Sequence, residues 1–559
     1  MDNYQIADSF SLLAKLMDIH GENSFKSKSY ASAAFAIEKL PVQLAELPSE
    51  KIADLKGIGA SSAQKITELL QTGHLKSLEE IIFNTPPGVI EMLNIKGIGP
   101  KKINTIWKEM EIETVGELLY ACKENRLKLF KGFGEKTQQN VIDTIEFYFK
   151  NKGSYLYAQV VVVAQQTESF LEKLFPQIKV AITGGFKQQH EIIHQLDFVI
   201  ATPLSTIENV MVAVEGFSFK EKQEDHIIYT SSVGITVKIF SCTEDNFYEK
   251  LVATSSSEEF MTGFNNAKKD QIGAAATEEA YFQQVKIGFI PAFLRENSSI
   301  LALPGKEIPA NIIEPGDIKG IIHCHSNWSD GSNTVEEMAT AARDKGLEYL
   351  VISDHSKSAF YAQGLFEDKI REQHKYVDEL NSKLAPFKIF KSIESDILND
   401  GSLDYANEVL ATFDIVIASV HSNLKMTEEK AMMRLLKAIE NPYTTILGHM
   451  SGRLLLSRPG YPVDHKKIID ACAANDVVIE LNAHPSRLDI DWRYINYALE
   501  KNVLISIDPD SHHIDGLNDT LYGVLVAQKA MVTPENNLSS FSLQQFESFV
   551  ENRKMKKHL

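Results

Sequence analysis

The sequence predicts a multidomain protein with three textures in series: a helical N-terminal region, a mixed α/β middle, and a C-terminal parallel α/β barrel or doubly wound sheet. Three observations carry this. The 559 residues exceed what one hydrophobic core organises, and about 100–200 residues per domain gives three to five domains. One glycine-containing turn is echoed three times within the first 135 residues. From about residue 318 to the end, short apolar strands alternate with helical segments, the pattern of a parallel sheet.

In the first 150 residues apolar side chains recur at helical spacing, as in Ile6–Ile19 and Ser29–Leu40. Pro86–Pro87 marks a break. The echoes are Leu55-Lys-Gly-Ile-Gly59, Ile95-Lys-Gly-Ile-Gly99 and Phe130-Lys-Gly-Phe-Gly134, each followed by a helical segment that opens with small, polar or basic residues. Glycines Gly57, Gly59, Gly97, Gly99, Gly132 and Gly134 let a backbone approach a phosphate, and amides at the next helix N-terminus bind it. Such contacts read the nucleic-acid backbone and not the bases. From about 155 the stretches Val160–Ala164, Val180–Thr183, Asp197–Ala201 and Ile235–Phe240 read as strands. Residues 297–318, with Pro304, Pro309 and Pro315, read as a linker. The barrel strands are Gly320–His323, Tyr349–Ser353, Ile415–Ser419, Thr445–Leu447, Val477–Asn482 and Leu504–Asp508.

Composition excludes more than it selects. A hydrophobic fraction of 44% and a charged fraction of 24% are those of a globular protein. No apolar run spans a bilayer and residues 1–30 lack a signal-peptide layout, so a cytoplasmic location without membrane association is expected. Cys122, Cys242, Cys324 and Cys472 form no pair motif, which excludes a disulfide framework and a thiolate zinc site. The net charge of −18 is uneven: residues 1–150 hold 18 Lys/Arg against 20 Asp/Glu, a balance of −2 that leaves −16 for the rest. An acidic C-terminal part suits a site rich in metal-binding carboxylates.

That C-terminal part carries the densest chemistry. His323-Cys-His325 follows Ile321-Ile322; on a strand, residues i and i+2 face one way, so both imidazoles meet one centre while Cys324 packs on the other face. Asp330, Asp354-His355, Glu394-Ser-Asp396, His421, His449 and Asp508-Pro-Asp510-Ser-His512 then follow, nearly all just after apolar strands. Parallel barrels build their sites at that end. Imidazole and carboxylate without thiolate suit Zn²⁺, Mn²⁺ or Fe²⁺.

The hairpin pattern resembles the helix-hairpin-helix elements of bacterial-type family X DNA polymerases. Asn23-Ser-Phe-Lys-Ser-Lys-Ser-Tyr30 looks like the start of that family's small lyase-like domain, where Lys26 and Lys28 meet a DNA 5′-phosphate, and Ile290–Glu296 looks like the end of its thumb. The C-terminal constellation resembles the PHP (polymerase and histidinol phosphatase) domain fused to these polymerases. The resemblance implies a helical helix-hairpin-helix N-terminal region, an α+β nucleotidyltransferase-like palm and thumb, and a distorted TIM-like α/β PHP barrel. Expected boundaries are 1–80 for a lyase-like DNA-binding domain, 81–150 for a fingers-like hairpin domain, 151–235 for the palm, 236–300 for the thumb, 301–317 for the linker and 318–559 for the barrel. It further implies three divalent transition metals on His323, His325, Asp330, His355, Glu394, His421, His449, Asp510 and His512, with Glu394 bridging two ions. Asp508 is expected behind the ligands, and Arg453 and Arg458 are candidate phosphate contacts.

The polymerase motif, by contrast, is degraded. Family X palms present G-S-x-R-R…D-x-D and a third Asp on a later strand, carboxylates that hold two metals for nucleotidyl transfer. The matching segment here is Gly184-Gly-Phe-Lys-Gln188…Gln195-Leu-Asp197. Gly185 stands for the Ser, Lys187 and Gln188 for the two Arg, Gln195 for the first Asp, and Lys238 falls at the third carboxylate; Asp197 alone remains. The expected function is metal-dependent hydrolysis of DNA phosphodiesters at 3′ ends of gapped or nicked duplex, bound without regard to sequence, with an inactive polymerase centre. The competing expectations are the full gap-filling polymerase plus 3′-5′ exonuclease, a non-catalytic DNA-end scaffold, and a small-molecule phosphatase of the histidinol-phosphate type. Oligomeric state and protein partners leave no trace in the sequence.

Overall fold

Helix formation begins at Asp2, whose carboxylate caps Gln5 N–H while the Gln5 side chain returns to the Asp2 amide. The helix Asn3–His20 ends at Gly21, whose φ of 72° stops it. The computed structural model describes residues 1–123, 127–151, 153–268, 273–302, 308–456 and 459–558. They form two units, Met1–Lys152 and Gly153–Leu559.

Among the described residues the first unit is built of helices and turns, with no strand. The three echoed turns share one backbone: Gly57, Gly97 and Gly132 have φ of 91°, 94° and 92°, a left-handed conformation that a side chain resists. Gly59 and Gly99 are the N-caps of helices Ala60–Thr72 and Pro100–Lys108, and Gly134 immediately precedes the helix Glu135–Asn151. No atom lies within 4 Å of where a Cβ at Gly59, Gly99 or Gly134 would stand, so the second glycine of each turn faces open space. The expected boundary at residue 80 separates no cores. Ile6, Phe10 and Ile37 share one buried cluster with Ile103, Ile106 and Leu118, and Asn104 Nδ2 donates to Ile19 O at 2.7 Å.

The second unit opens with a small mixed sheet. Its strands are β1 (Tyr155–Leu156), β2 (Val180–Thr183), β3 (Ile192–Ile193), β4 (Leu196–Ile200), β5 (Phe217–Lys222), β6 (His226–Ser231) and β7 (Thr236–Ser241). β1 pairs with β3, and the others form a sheet in the order β2-β4-β7-β6-β5. Two sequence expectations fail here. Val160–Ala164 lies within the helix Tyr157–Leu174, because Val160, Ala164, Thr167 and Leu171 bury one face at helical spacing. The palm does not end at 235, since β7 is the inner strand between β4 and β6. Helices Phe247–Thr254, Glu258–Ala267 and Glu278–Gln284 follow.

Of the expected linker, residues 303–307 lie outside the described residues. The part from 308 is no free tether: Ile313 is fully buried, and its amide donates to Val532 O at 2.9 Å.

Seven parallel strands then complete the unit: β8 (Gly320–Cys324), β9 (Tyr349–Ile352), β10 (Lys388–Asp396), β11 (Ile415–Ser419), β12 (Ile446–Leu447), β13 (Val478–Asn482) and β14 (Ile505–Asp508). They run β14-β13-β12-β11-β10-β9-β8. A parallel bridge between Cys324 and Ser511 brings the two edges together, so the sheet is a nearly closed barrel. Helices such as Val335–Asp344, Glu367–Leu384 and Glu428–Ile439 connect the strands, so the strands are buried on both faces and read as continuous apolar runs. Polar residues that interrupt such runs need partners. No described helix is long and apolar enough to cross a membrane.

Candidate metal centre

β8 supplies the first pair. His323 and His325 are both fully buried, with ring centroids 5.2 Å apart. Cys324 between them packs with Ile321, Val335 and Met338, the alternation expected of a strand. β9 delivers His355, β10 Glu394, β11 His421, β12 His449, and the turn after β14 Asp510 and His512. Asp510 has φ of 51°. This left-handed turn, which Asp tolerates, follows directly on the end of β14.

Glu394 lies at the middle. Its Oε1 is 3.1 Å from His421 Nε2, 3.0 Å from His449 Nε2 and 3.4 Å from His323 Nε2, and its Oε2 is 3.0 Å from His355 Nδ1. Asp510 Oδ1 is 3.1 Å from His325 Nε2, and Asp330 Oδ1 lies 3.6 Å from His355 Nε2 and 3.3 Å from His512 Nε2. Three groups have donor atoms within 4.8 Å of one another: His325, Asp330, His355 and His512; His323, His325 and Asp510; and His355, Glu394 and His421. All nine residues singled out from the sequence converge here. His449 falls outside the three groups but reaches Glu394.

Electrostatics divide the cluster. Burial, reinforced by His512 and His355, pushes His325 down to about 3, which leaves a neutral imidazole with a free lone pair. Burial opposes charge on Glu394 and Asp510, but the facing histidines outweigh it and hold both carboxyls well below the usual range. Asp330 is drawn down to about 2 despite burial, through His512 and His355. Burial opposes charge on His323, His421 and His512 as well, but the facing carboxylates raise His323 well above its usual range, His421 to about 10 and His512 to about 9. Imidazoles converging on ionised carboxylates are a donor set for a divalent ion, whose binding would release those protons. Two buried atoms support that fit: His323 Nε2 and Glu394 Oε2 have no hydrogen-bond partner among the described residues, although buried polar atoms normally have one. Divalent metal ions therefore suit this centre.

Three carboxylates have roles that the sequence did not assign, Glu480 and the Asp354 and Asp396 that flank predicted ligands. Glu480 on β13 holds His323 Nδ1 at 2.5 Å and accepts the His449 amide at 2.5 Å, so the His323 Nε2 lone pair turns inward. Asp396 does the same for His421 Nδ1 at 2.8 Å. Asp354 is fully buried under Ser326, Ser329 and Gln373 and ties the loop after β8 to β9. The signal for Glu480 was a carboxylate inside the apolar run Val477–Leu481. Asp508 lies where expected, fully buried, its Oδ1 accepting from Ser506 and Ser539. Burial and the nearby Glu480 push it up to about 8.

The candidate arginines fare differently. Arg458 lies outside the described residues. Arg453 is committed elsewhere: Nε donates to Arg487 O at 2.9 Å, NH1 to Asp491 at 3.0 Å and NH2 to Leu488 O, and NH2 lies 3.7 Å from Glu191. It ties the loop after β13 to Glu191 beside β3, with three of its five N–H groups engaged in hydrogen bonds there. Arg487 on that loop, unassigned from sequence, has Nε 3.6 Å from Asp510 Oδ2.

The residues expected to form a degraded polymerase site lie on or beside the mixed sheet β2-β4-β7-β6-β5. β4 and β7 are parallel neighbours with Asp197 beside Lys238. Gln195 Nε2 donates to Asp197 Oδ1 at 2.7 Å. A side chain at Gly185 would stand 2.9 Å from the His190 ring. Lys187 pairs with Glu278 at 2.5 Å, and the buried Gln188 accepts from Lys529 of the barrel at 2.8 Å. Lys26 and Lys28 are exposed on the helix Ser24–Glu38.

Comparison with known proteins places this architecture. A helix-hairpin-helix domain matches residues 1–75, a SAM-like helix-hairpin-helix tandem 89–146, and the PHP domain 322–484. The DNA polymerase/3′-5′ exonuclease PolX of Bacillus subtilis is 30% identical over 559 residues, covering 96% of this chain and 97% of its own. The chain belongs to the PolX family. A probable phosphatase of Acetivibrio thermocellus is 27% identical over 244 residues, 42% of this chain and 95% of its own. Another from Thermoanaerobacter sp. is 30% identical over 201 residues, 34% and 77% respectively. This PolX-family chain thus joins helix-hairpin-helix domains to a PHP phosphoesterase barrel that also resembles free-standing proteins.

Proposed function

We propose that this PolX-family protein hydrolyses DNA phosphodiesters from 3′ ends in its PHP barrel, and that its palm no longer transfers nucleotides. The observation that carries the first half is the convergence of nine donor residues, five of them histidines that face Glu394. The nine residues would hold three divalent ions of the manganese, zinc or iron type. Such ions lower the pKa of water to near neutrality and neutralise phosphate charge. The chain's own residues do the rest. Glu394 sets the spacing between groups, presenting one oxygen to His421 and His449 and the other to His355. Glu480 and Asp396 fix the orientation of His323 and His421. Arg487, with its side chain about one-fifth exposed, is the cation placed to meet a phosphate and spread charge as the bond breaks. The hairpins hold the duplex through its phosphates.

For the second half the support is local. A metal pair needs several carboxylates, and Asp197 faces Gln195 and Lys238. An ammonium at a ligand position repels a cation. The competing reading, polymerase plus exonuclease, is favoured by the likeness to the Bacillus subtilis protein along nearly the whole chain. A 5′-labelled gapped duplex with Mn²⁺, with and without dNTPs, decides. Shortening that dNTPs do not reverse supports the proposal. Template-directed extension lost in Asp197→Ala establishes the polymerase, and a retarded but unchanged strand leaves only a scaffold.

A further inference from the structure

The loop after β9 inverts the usual order of burial. In Ala359-Phe360-Tyr361-Ala362, the small Ala359 and Ala362 are 1% and 0% exposed, whereas Phe360 is 80% exposed. Leu365 is buried too. A loop free to choose would bury its largest apolar side chain first.

This loop is also pinned. It leaves the barrel at His355 and returns to it, with Leu365 N–H donating to His355 O at 2.8 Å and Ser356 bridged to Leu365. Asp404 accepts from both the amide and the hydroxyl of Ser358 at 2.6 Å. The Tyr405 hydroxyl donates to Leu365 O and accepts the Lys357 amide at 3.1 Å. A side chain at Gly364 would overlap Ser356 O. The exposed ring is therefore displayed by a fixed support. It lies five residues from His355, a reach of at most about 17 Å of extended chain, on the loop that follows the C-terminal end of β9.

We propose that Phe360 is a stacking platform for a nucleobase at or next to the 3′ terminus whose phosphodiester sits in the metal centre. The inference rests on the nuclease reading above. Every base has a π-face, so a platform of this kind holds a frayed end without reading its sequence, as a sequence-independent nuclease requires. It also separates a polynucleotide from a small phosphate ester, which gains nothing from the ring.

The test compares wild type and Phe360→Ala on two 5′-labelled single strands with Mn²⁺. One strand carries normal bases, and the other has tetrahydrofuran abasic residues at its last two positions. Stacking worth that of other aromatic platforms raises KM on the normal strand about tenfold or more in Phe360→Ala. Wild type suffers a similar rise on the abasic strand, and the variant does not distinguish the two. Phe360→Trp restores the normal-strand KM. An unchanged KM in Phe360→Ala, or an equal loss on both strands, overturns the platform while the nuclease stands. If wild type shortens neither strand, the nuclease reading falls and the platform with it.

Discussion

At the scale of single residues the centre depends on atoms that the ligands themselves do not supply. Glu480 illustrates this. With its carboxylate on Nδ1, His323 keeps one tautomer and one orientation, and its Nε2 faces Glu394. Glu480→Ala should raise the Mn²⁺ concentration needed for half-maximal hydrolysis about 10- to 100-fold, with rate recovering as Mn²⁺ is added. Cys324→Ser, one residue from His323, should leave that concentration unchanged, because the thiol packs with Ile321 and Met338 and donates to Val351 O at 3.4 Å, a bond that a hydroxyl can keep. Equal effects of the two would point to a general loss of stability. Strand alternation made this contrast legible in the sequence. Glu480 was not legible as a partner, because its role depends on pairing across the barrel, from β13 to β8, over 157 residues of chain.

At the scale of elements the mixed sheet of the second unit holds a buried carboxylate whose titration can be tested. Asp197 on β4 is 8% exposed, and burial pushes it up to about 6 although Gln195 and Lys238 pull the other way. The folded state then binds more protons than the unfolded chain between about 4 and 6, so stability falls as pH rises through that window. Asp197→Asn, which still accepts from Gln195, should be more stable than wild type at pH 8 by on the order of 2–3 kcal/mol, with the difference vanishing near pH 4. Denaturant melts at the two pH values measure it, and a variant less stable at pH 8 contradicts it. This sheet was the least legible element. Val160–Ala164 reads as a strand by composition, yet it folds as helix because its i, i+4 partners face the core. The palm boundary at 235 failed for a related reason: β7 belongs to the sheet by pairing with β4, a long-range contact that local pattern does not show. The barrel was legible because its strands are buried on both faces and each donor follows one of them. The arginines were not, since Arg453 and Arg487 differ only in which backbone and carboxylate atoms surround them.

At the scale of the whole molecule the proposed grip and chemistry fall in separate units, the hairpins in Met1–Lys152 and the candidate metal centre in Gly153–Leu559. If the three matched turns at Gly57, Gly97 and Gly132 grip phosphates as proposed, binding is sequence-independent and weakens with salt. Gly97→Val with Gly99→Val should therefore weaken DNA binding while leaving hydrolysis at saturating DNA nearly intact. The converse variant tests the central claim most directly: the rate at which His323→Ala shortens a 5′-labelled gapped duplex in Mn²⁺, measured beside its affinity for the same duplex. The account predicts a fall in rate of more than about 100-fold, since a ligand matters at least as much as the residue that orients it, with DNA affinity close to wild type. Shortening at the wild-type rate would contradict it and place the hydrolytic chemistry outside the barrel.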